Sequence, residues 1–171
     1  IALQIRIERF AQIRCNFCIL TTACLAHLVD ARDDDFLLLI GERFMGSNAN
    51  SRKLTFLLCP VGSAGDVYPF LGLGQRLRAR GHDVAVLTSG YFRDAAERLD
   101  LDFVDILSRE RFLELTENPL LWDPWRGAAA VLKSMRPDDL QRGYESVAER
   151  YVPKRTVVIT SVLGFGARIA H

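Results

Sequence analysis

Asp66 closes a short glycine-bearing turn, Gly62-Ser63-Ala64-Gly65-Asp66, between an apolar run and a helical segment. A carboxylate at that place has two roles open to it. As the N-cap of the following helix it would accept hydrogen bonds from the first free backbone N–H groups, and aspartate is among the favoured residues. As a group facing a ligand it could accept the proton of a substrate hydroxyl. Pro69, read as lying inside the first helical turn, suits the cap. The roles coexist if one oxygen caps and the other faces a cleft. Gly62 and Gly65 let the backbone turn sharply and approach a ligand closely. The N–H groups of the turn and of the helix start favour negative charge, commonly a phosphate. The pattern is neither Gly-x-Gly-x-x-Gly nor a P-loop ending in Gly-Lys-Ser/Thr, so neither nicotinamide binding nor NTP hydrolysis has a matching motif.

Other chemistry-bearing residues are weaker candidates. Cys15, Cys18 and Cys24 fall within ten residues, with His27 nearby. A zinc site normally needs a second ligand pair at suitable spacing, and a thioredoxin-like pair should open a helix after a strand. Incidental thiols in an apolar stretch are the simpler reading, and no metal site is expected. Cys59, at the end of a strand-like run, reads as a small buried hydrophobe. His82 begins a strand and reads as structural, and Arg76, Arg78 and Arg80 as a solvated helix face. Trp122, Asp123, Pro124 and Trp125 form an aromatic corner between helices. Packing explains it most simply, although the faces of Trp122 and Trp125 would suit a sugar or sterol-like substrate.

The elements that must position these residues alternate. Leu54-Thr55-Phe56-Leu57-Leu58-Cys59 is a continuous apolar run, as in a parallel strand buried on both faces. Residues 67–80 put Phe70, Leu73, Gly74 and Leu77 on one helical face, and Gly81 stands where a left-handed residue closes a helix. A strand over 82–88 completes a β-α-β unit. Helical segments over 91–99, 109–116, 125–134 and 138–151 follow, with an edge-like strand at 101–106, a buried strand at 156–160 and a helix from near Gly166. This alternation predicts an α/β fold with an open, doubly wound, parallel, Rossmann-like sheet. Ligands of such sheets bind beyond the carboxyl ends of the strands, which singles out the loops 60–66, 88–90 and 161–165.

Length and composition agree with one soluble globular domain: 171 residues, 49% hydrophobic and 25% charged. A net charge of +1 gives no broad pull toward nucleic acid. Residues 1–44 differ in texture, with Arg6, Arg9 and Arg14 ahead of an apolar run that is too short and polar for a membrane span. The expectation is an extension over 1–44 and a domain over 45–171 that stops within a helix, as a fragment would.

Gly62-Ser63-Ala64-Gly65-Asp66-Val67-Tyr68-Pro69, followed by Leu71-Gly72-Leu73-Gly74-Gln75-Arg76-Leu77 and Gly81-His82-Asp83-Val84, resembles the opening of family 28 glycosyltransferases. It is similar to that of sterol glucosyltransferases and glycopeptide-antibiotic glycosyltransferases, with their Gly-Ser-x-Gly-Asp-Val-x-Pro signature. Ala64 stands where the family commonly has arginine, a departure in the loop's charge that leaves the aspartate in place. The resemblance implies the N-terminal, acceptor-binding half of a GT-B enzyme, with the donor held mostly by a C-terminal domain that this chain lacks. It implies Asp66 as general base in an inverting hexose transfer from a UDP- or dTDP-sugar to a hydroxyl of a lipid, sterol-like or natural-product acceptor. Gly62, Ser63, Ala64, Gly65, Trp122 and Trp125 are the implied substrate contacts. The nucleotide-sugar is a co-substrate, no cofactor or metal is obligatory, and the implied location is cytoplasmic, with or without peripheral membrane contact. Two alternatives stay open: a Rossmann-like module using the loop for another nucleotide, and a non-catalytic or truncated product.

Overall fold

The computed structural model describes residues 17–19, 53–123 and 125–170. Among the described residues, five strands form one parallel sheet: β1 (Phe17–Ile19), β2 (Thr55–Cys59), β3 (Asp83–Ser89), β4 (Asp102–Leu107) and β5 (Thr156–Thr160), in the order β1-β5-β2-β3-β4. The helices are α1 (Ala64–Ala79), α2 (Arg93–Arg98), α3 (Arg109–Thr116), α4 (Gly127–Ser134), α5 (Pro137–Ala148) and α6 (Phe165–Ala170). Short 3-10 turns lie at Gly90–Phe92 and Pro119–Trp122. This is the Rossmann-like parallel α/β architecture that the alternating pattern predicts.

The central strands are apolar through their middles because both faces of the sheet are covered. Phe56 and Leu58 of β2 pack with Val84, Val86, Val157 and Ile159 of the neighbouring strands against Val67, Phe70, Leu71 and Leu77 of α1. The intervening residues Leu57, Cys59, Leu87 and Val158 face the other way, toward Val147 of α5 and Ala167 of α6. Each fully buried large side chain in these layers contributes roughly 1.5–3 kcal/mol relative to an exposed one.

α1 begins earlier than the sequence suggests. Ser63 is extended (φ −77°, ψ 179°) and is the N-cap, so Ala64 is the first helical residue. Asp66 is therefore the third helical residue rather than the cap, and Pro69 lies in the second turn, where it cannot donate to the Gly65 carbonyl. Serine and aspartate are both favoured caps, and only the backbone angles decide between them. The helix ends as expected at Gly81 (φ +88°). Gly81 N–H donates to the Arg78 carbonyl at 2.8 Å and His82 N–H to the Leu77 carbonyl at 3.3 Å, the paired bonds of a Schellman closure.

From β2 the chain steps through β3 to the edge strand β4, then returns by α3, α4 and α5 to place β5 on the other side of β2. The strand order thus reverses between β2 and β5, and the loops leaving those strands diverge. β1, from the leading segment, pairs in parallel with β5, Phe17 opposite Val158. The rest of that segment, including Cys15, Cys24 and His27, and the boundary expected near residue 45 lie outside the described residues.

Candidate active site

A cavity of about 370 Å³ opens where the strand order reverses. Its floor is Cys59, Leu87, Ile106 and Leu107 at the carboxyl ends of β2, β3 and β4. Phe112 and Leu115 of α3, Val131 of α4, Met135 just after it and Leu140 of α5 form apolar walls, and the 163–167 segment closes another side. Gly62, Ser63 and Asp66 bring the polar turn to this largely apolar space.

Asp66 is held by the residue that begins its helix. The Ser63 backbone N–H donates to Asp66 Oδ2 at 2.9 Å and the Ser63 hydroxyl donates to the same oxygen at 3.1 Å. This is the reach-back contact of a capping box, with the carboxylate in the first turn where the helix dipole favours negative charge. Gly62 makes the contact possible. Its φ is +145°, and a Cβ built there would overlap Asp66 Oδ2 and lie 2.7 Å from Asp66 Cγ.

Three buried hydroxyls, two at the ends of β3 and β5 and one just after β5, tether the loop that leads into this turn. Thr88 donates to the Pro60 carbonyl at 2.8 Å, and Thr160 to the Cys59 carbonyl at 2.9 Å. Ser161 accepts from Val61 N–H at 2.9 Å and donates to the Val61 carbonyl at 3.0 Å. Their signal in the sequence is faint: hydroxyl residues where two apolar strands end. On the opposite wall, Arg111 of α3 donates to the Ser134 carbonyl of α4 at 2.9 Å and pairs with Glu114 at 2.7 Å. The Arg111 hydrogen bond holds the Glu114 carboxyl below its usual range.

Of the residues proposed from sequence, Gly62, Ser63 and Asp66 meet at the cavity, whereas Ala64 and Gly65 are exposed and do not line it. Trp125 is 93% exposed and stands apart from the cavity lining. The Trp122 side chain, like Pro124, lies outside the described residues. Asp123 organises this corner, accepting from the Trp125 and Arg126 N–H groups at 2.8 Å each. Cys59 is buried, and burial pushes its thiol up to about 12, so it behaves as a small hydrophobe. His82 sits at the opposite end of the sheet, where its Nδ1 accepts from Leu54 N–H at 3.4 Å and its ring packs on Phe56. Among the described residues, no three His, Cys, Asp or Glu side chains gather as a metal site. Nor is any helix among them long and apolar enough to cross a membrane.

The glycosyltransferase family 28 N-terminal domain matches residues 56–167, more than half of the chain. The chain belongs to this family. The match runs from β2 into α6 and contains every residue of the cavity lining, from Cys59 to Ala167. Among curated proteins, the chain is similar to sterol 3-beta-glucosyltransferases. That of Kluyveromyces lactis is 39% identical over 56 residues and that of Saccharomyces cerevisiae 38% over 56, each match covering 33% of this chain and 5% of the relative. That of Yarrowia lipolytica is 37% identical over 54 residues, 32% of this chain and 4% of the relative. The match to this chain thus spans only a small part of the length of these curated relatives.

Proposed function

We propose that this domain is the acceptor-binding half of an inverting glycosyltransferase, with Asp66 as its general base. The reaction moves a hexose from a UDP- or dTDP-linked donor to a hydroxyl of a lipid, sterol-like or natural-product acceptor. The observation that carries the proposal is Asp66 on the wall of a mainly apolar cavity of about 370 Å³ at the carboxyl end of the sheet. Burying an apolar acceptor body there contributes roughly 25 cal/mol per Å², while its hydroxyl finds a proton acceptor in the polar turn. The similarity to sterol 3-beta-glucosyltransferases supports a sterol-like acceptor and a glucosyl group.

Asp66 takes the proton of the acceptor hydroxyl as that oxygen bonds to the anomeric carbon. The bond from this carbon to the diphosphate oxygen breaks, and the nucleoside diphosphate leaves with the electron pair. Attack opposite the leaving group inverts the centre. The two Ser63 bonds hold the carboxylate before substrate arrives, so little reorganisation is left for the reacting step. A second domain supplies most of the donor site, where helix dipoles and backbone donors can carry the diphosphate charge without an obligatory metal. A lipid acceptor is consistent with cytoplasmic work at a membrane surface.

The test is Asp66→Asn in the enzyme carrying both halves. Asparagine can still accept from Ser63 but cannot take a proton. We expect kcat to fall by roughly 10²–10⁴, with stability changed by less than about 1 kcal/mol. Near-normal kcat at saturating donor and acceptor would reject the base and leave Asp66 a helix-start residue.

A further inference from the structure

Ser161 follows β5 directly, on the other side of the strand-order reversal from Asp66, and only 7% of it is exposed. Its hydroxyl bonds both backbone groups of one residue: it accepts from Val61 N–H and donates to the Val61 carbonyl. Its own N–H reaches the Cys59 carbonyl at 3.4 Å. Val61 leads straight into Gly62, whose Cα leaves no room for a side chain beside Asp66 Oδ2, and then into Ser63, which donates twice to that oxygen. A shift of the 61–63 backbone therefore moves the groups that hold the carboxylate.

We propose that Ser161 is a positioning residue for Asp66, fixing from β5 the loop that aims the carboxylate into the cavity. The proposal rests on Asp66 being the base. Ser161 stands outside the cavity lining and its one hydroxyl hydrogen goes to the Val61 carbonyl, so it acts through the loop. It works because the loop after β2 has no regular secondary structure of its own, so side chains from neighbouring strands supply the bonds that a ladder would. Placement errors of about 1 Å at a reacting group can reduce turnover on the order of 10²-fold, which makes such a tether consequential.

Thr156 provides the matched control. It lies at the amino end of β5, is also buried, and its hydroxyl accepts from Val152 N–H at 2.9 Å, far along the strand from the cavity. In the enzyme carrying both halves, Ser161→Ala and Thr156→Val should both lower Tm. Only Ser161→Ala should lower kcat, by roughly 10–100-fold, with the donor KM unchanged. Ser161→Cys, similar in size but a weaker hydrogen-bonding group, should fall between Ser161→Ala and the parent, and it keeps the test available if the alanine variant does not fold. In an Asp66→Asn background, Ser161→Ala should give no further loss of kcat, because there is no base left to aim. Equal kcat per folded enzyme for Ser161→Ala and Thr156→Val, or losses that multiply in the double variant, would overturn the positioning role. If Asp66→Asn alone keeps normal turnover, the base itself fails and this proposal fails with it. A large loss for Asp66→Asn with none for Ser161→Ala overturns the tether alone.

Discussion

The two ends of the sheet are built from the same kinds of parts and put them to different use. Each has a glycine at positive φ, Gly62 at the carboxyl end and Gly81 at the amino end. Each has a strand hydroxyl bonded to a loop backbone, Ser161 to Val61 and Thr156 to Val152. Each has an ionisable side chain beside its glycine, Asp66 and His82. At the amino end these parts finish α1 and start β3, with Lys53 and Asp83 paired at 2.8 Å on the surface. At the carboxyl end they converge on a cavity, because the loops after β2 and β5 leave in different directions. Chemistry follows from the space around a motif as much as from the motif.

Alanine at the two glycines separates these ends most sharply. Gly62→Ala combines backbone strain with overlap on the Asp66 carboxylate. It should destabilise the domain by about 1–3 kcal/mol and lower kcat by at least about tenfold, since the carboxylate must move. Gly81→Ala meets nothing within 4 Å, so only the left-handed backbone is penalised, by about 1–2 kcal/mol. Its kcat should stay at the parent value once corrected for folded enzyme. Steady-state kinetics beside thermal unfolding checks both, and a kcat loss at Gly81 that matches that at Gly62 would erase the distinction between the ends.

The smallest effect concerns His82 and pH. Burial depresses its pKa below the ordinary 6.5, Arg80 pushes the same way, and Asp83 opposes them. Between the folded value and 6.5 the unfolded chain binds more protons, so stability rises with pH in that window. His82's contribution is fully present above about pH 6.5 and is lost as pH falls through its folded value. Thermal unfolding from pH 5 to pH 7.5 should therefore show a shallower slope for His82→Gln than for the parent. Identical slopes would remove His82 from the acid sensitivity of this end, and in neither case should kcat per folded enzyme change.

Much of the fold was legible because its signals are local. The apolar run through Phe56, Leu57 and Leu58 declares a strand covered on both faces, and the spacing of Phe70, Leu73 and Leu77 declares one side of α1. Gly81 marked the helix end correctly because a left-handed residue there is a steric requirement. The helix start was read three residues late, since serine and aspartate compete for one role and their order along the chain does not rank them. In the site, Gly62, Ser63 and Asp66 were legible together because five consecutive residues carry the whole turn. Trp125 was a chemically reasonable candidate, yet no spacing rule says which side of a corner meets solvent.

By itself, then, the sequence determined β2 to β5, the helix faces and the glycine turn with its carboxylate, all set by interactions among residues a few positions apart, whereas β1 went unread inside the leading segment. Tertiary structure decided what stands around that carboxylate. Ser161 meets Val61, and Leu140 and Phe165 share a cavity with Cys59, only because β5 pairs with β2 instead of with β4. That pairing is settled by burying both faces of the sheet at once, a balance over the whole chain that no short stretch of residues contains.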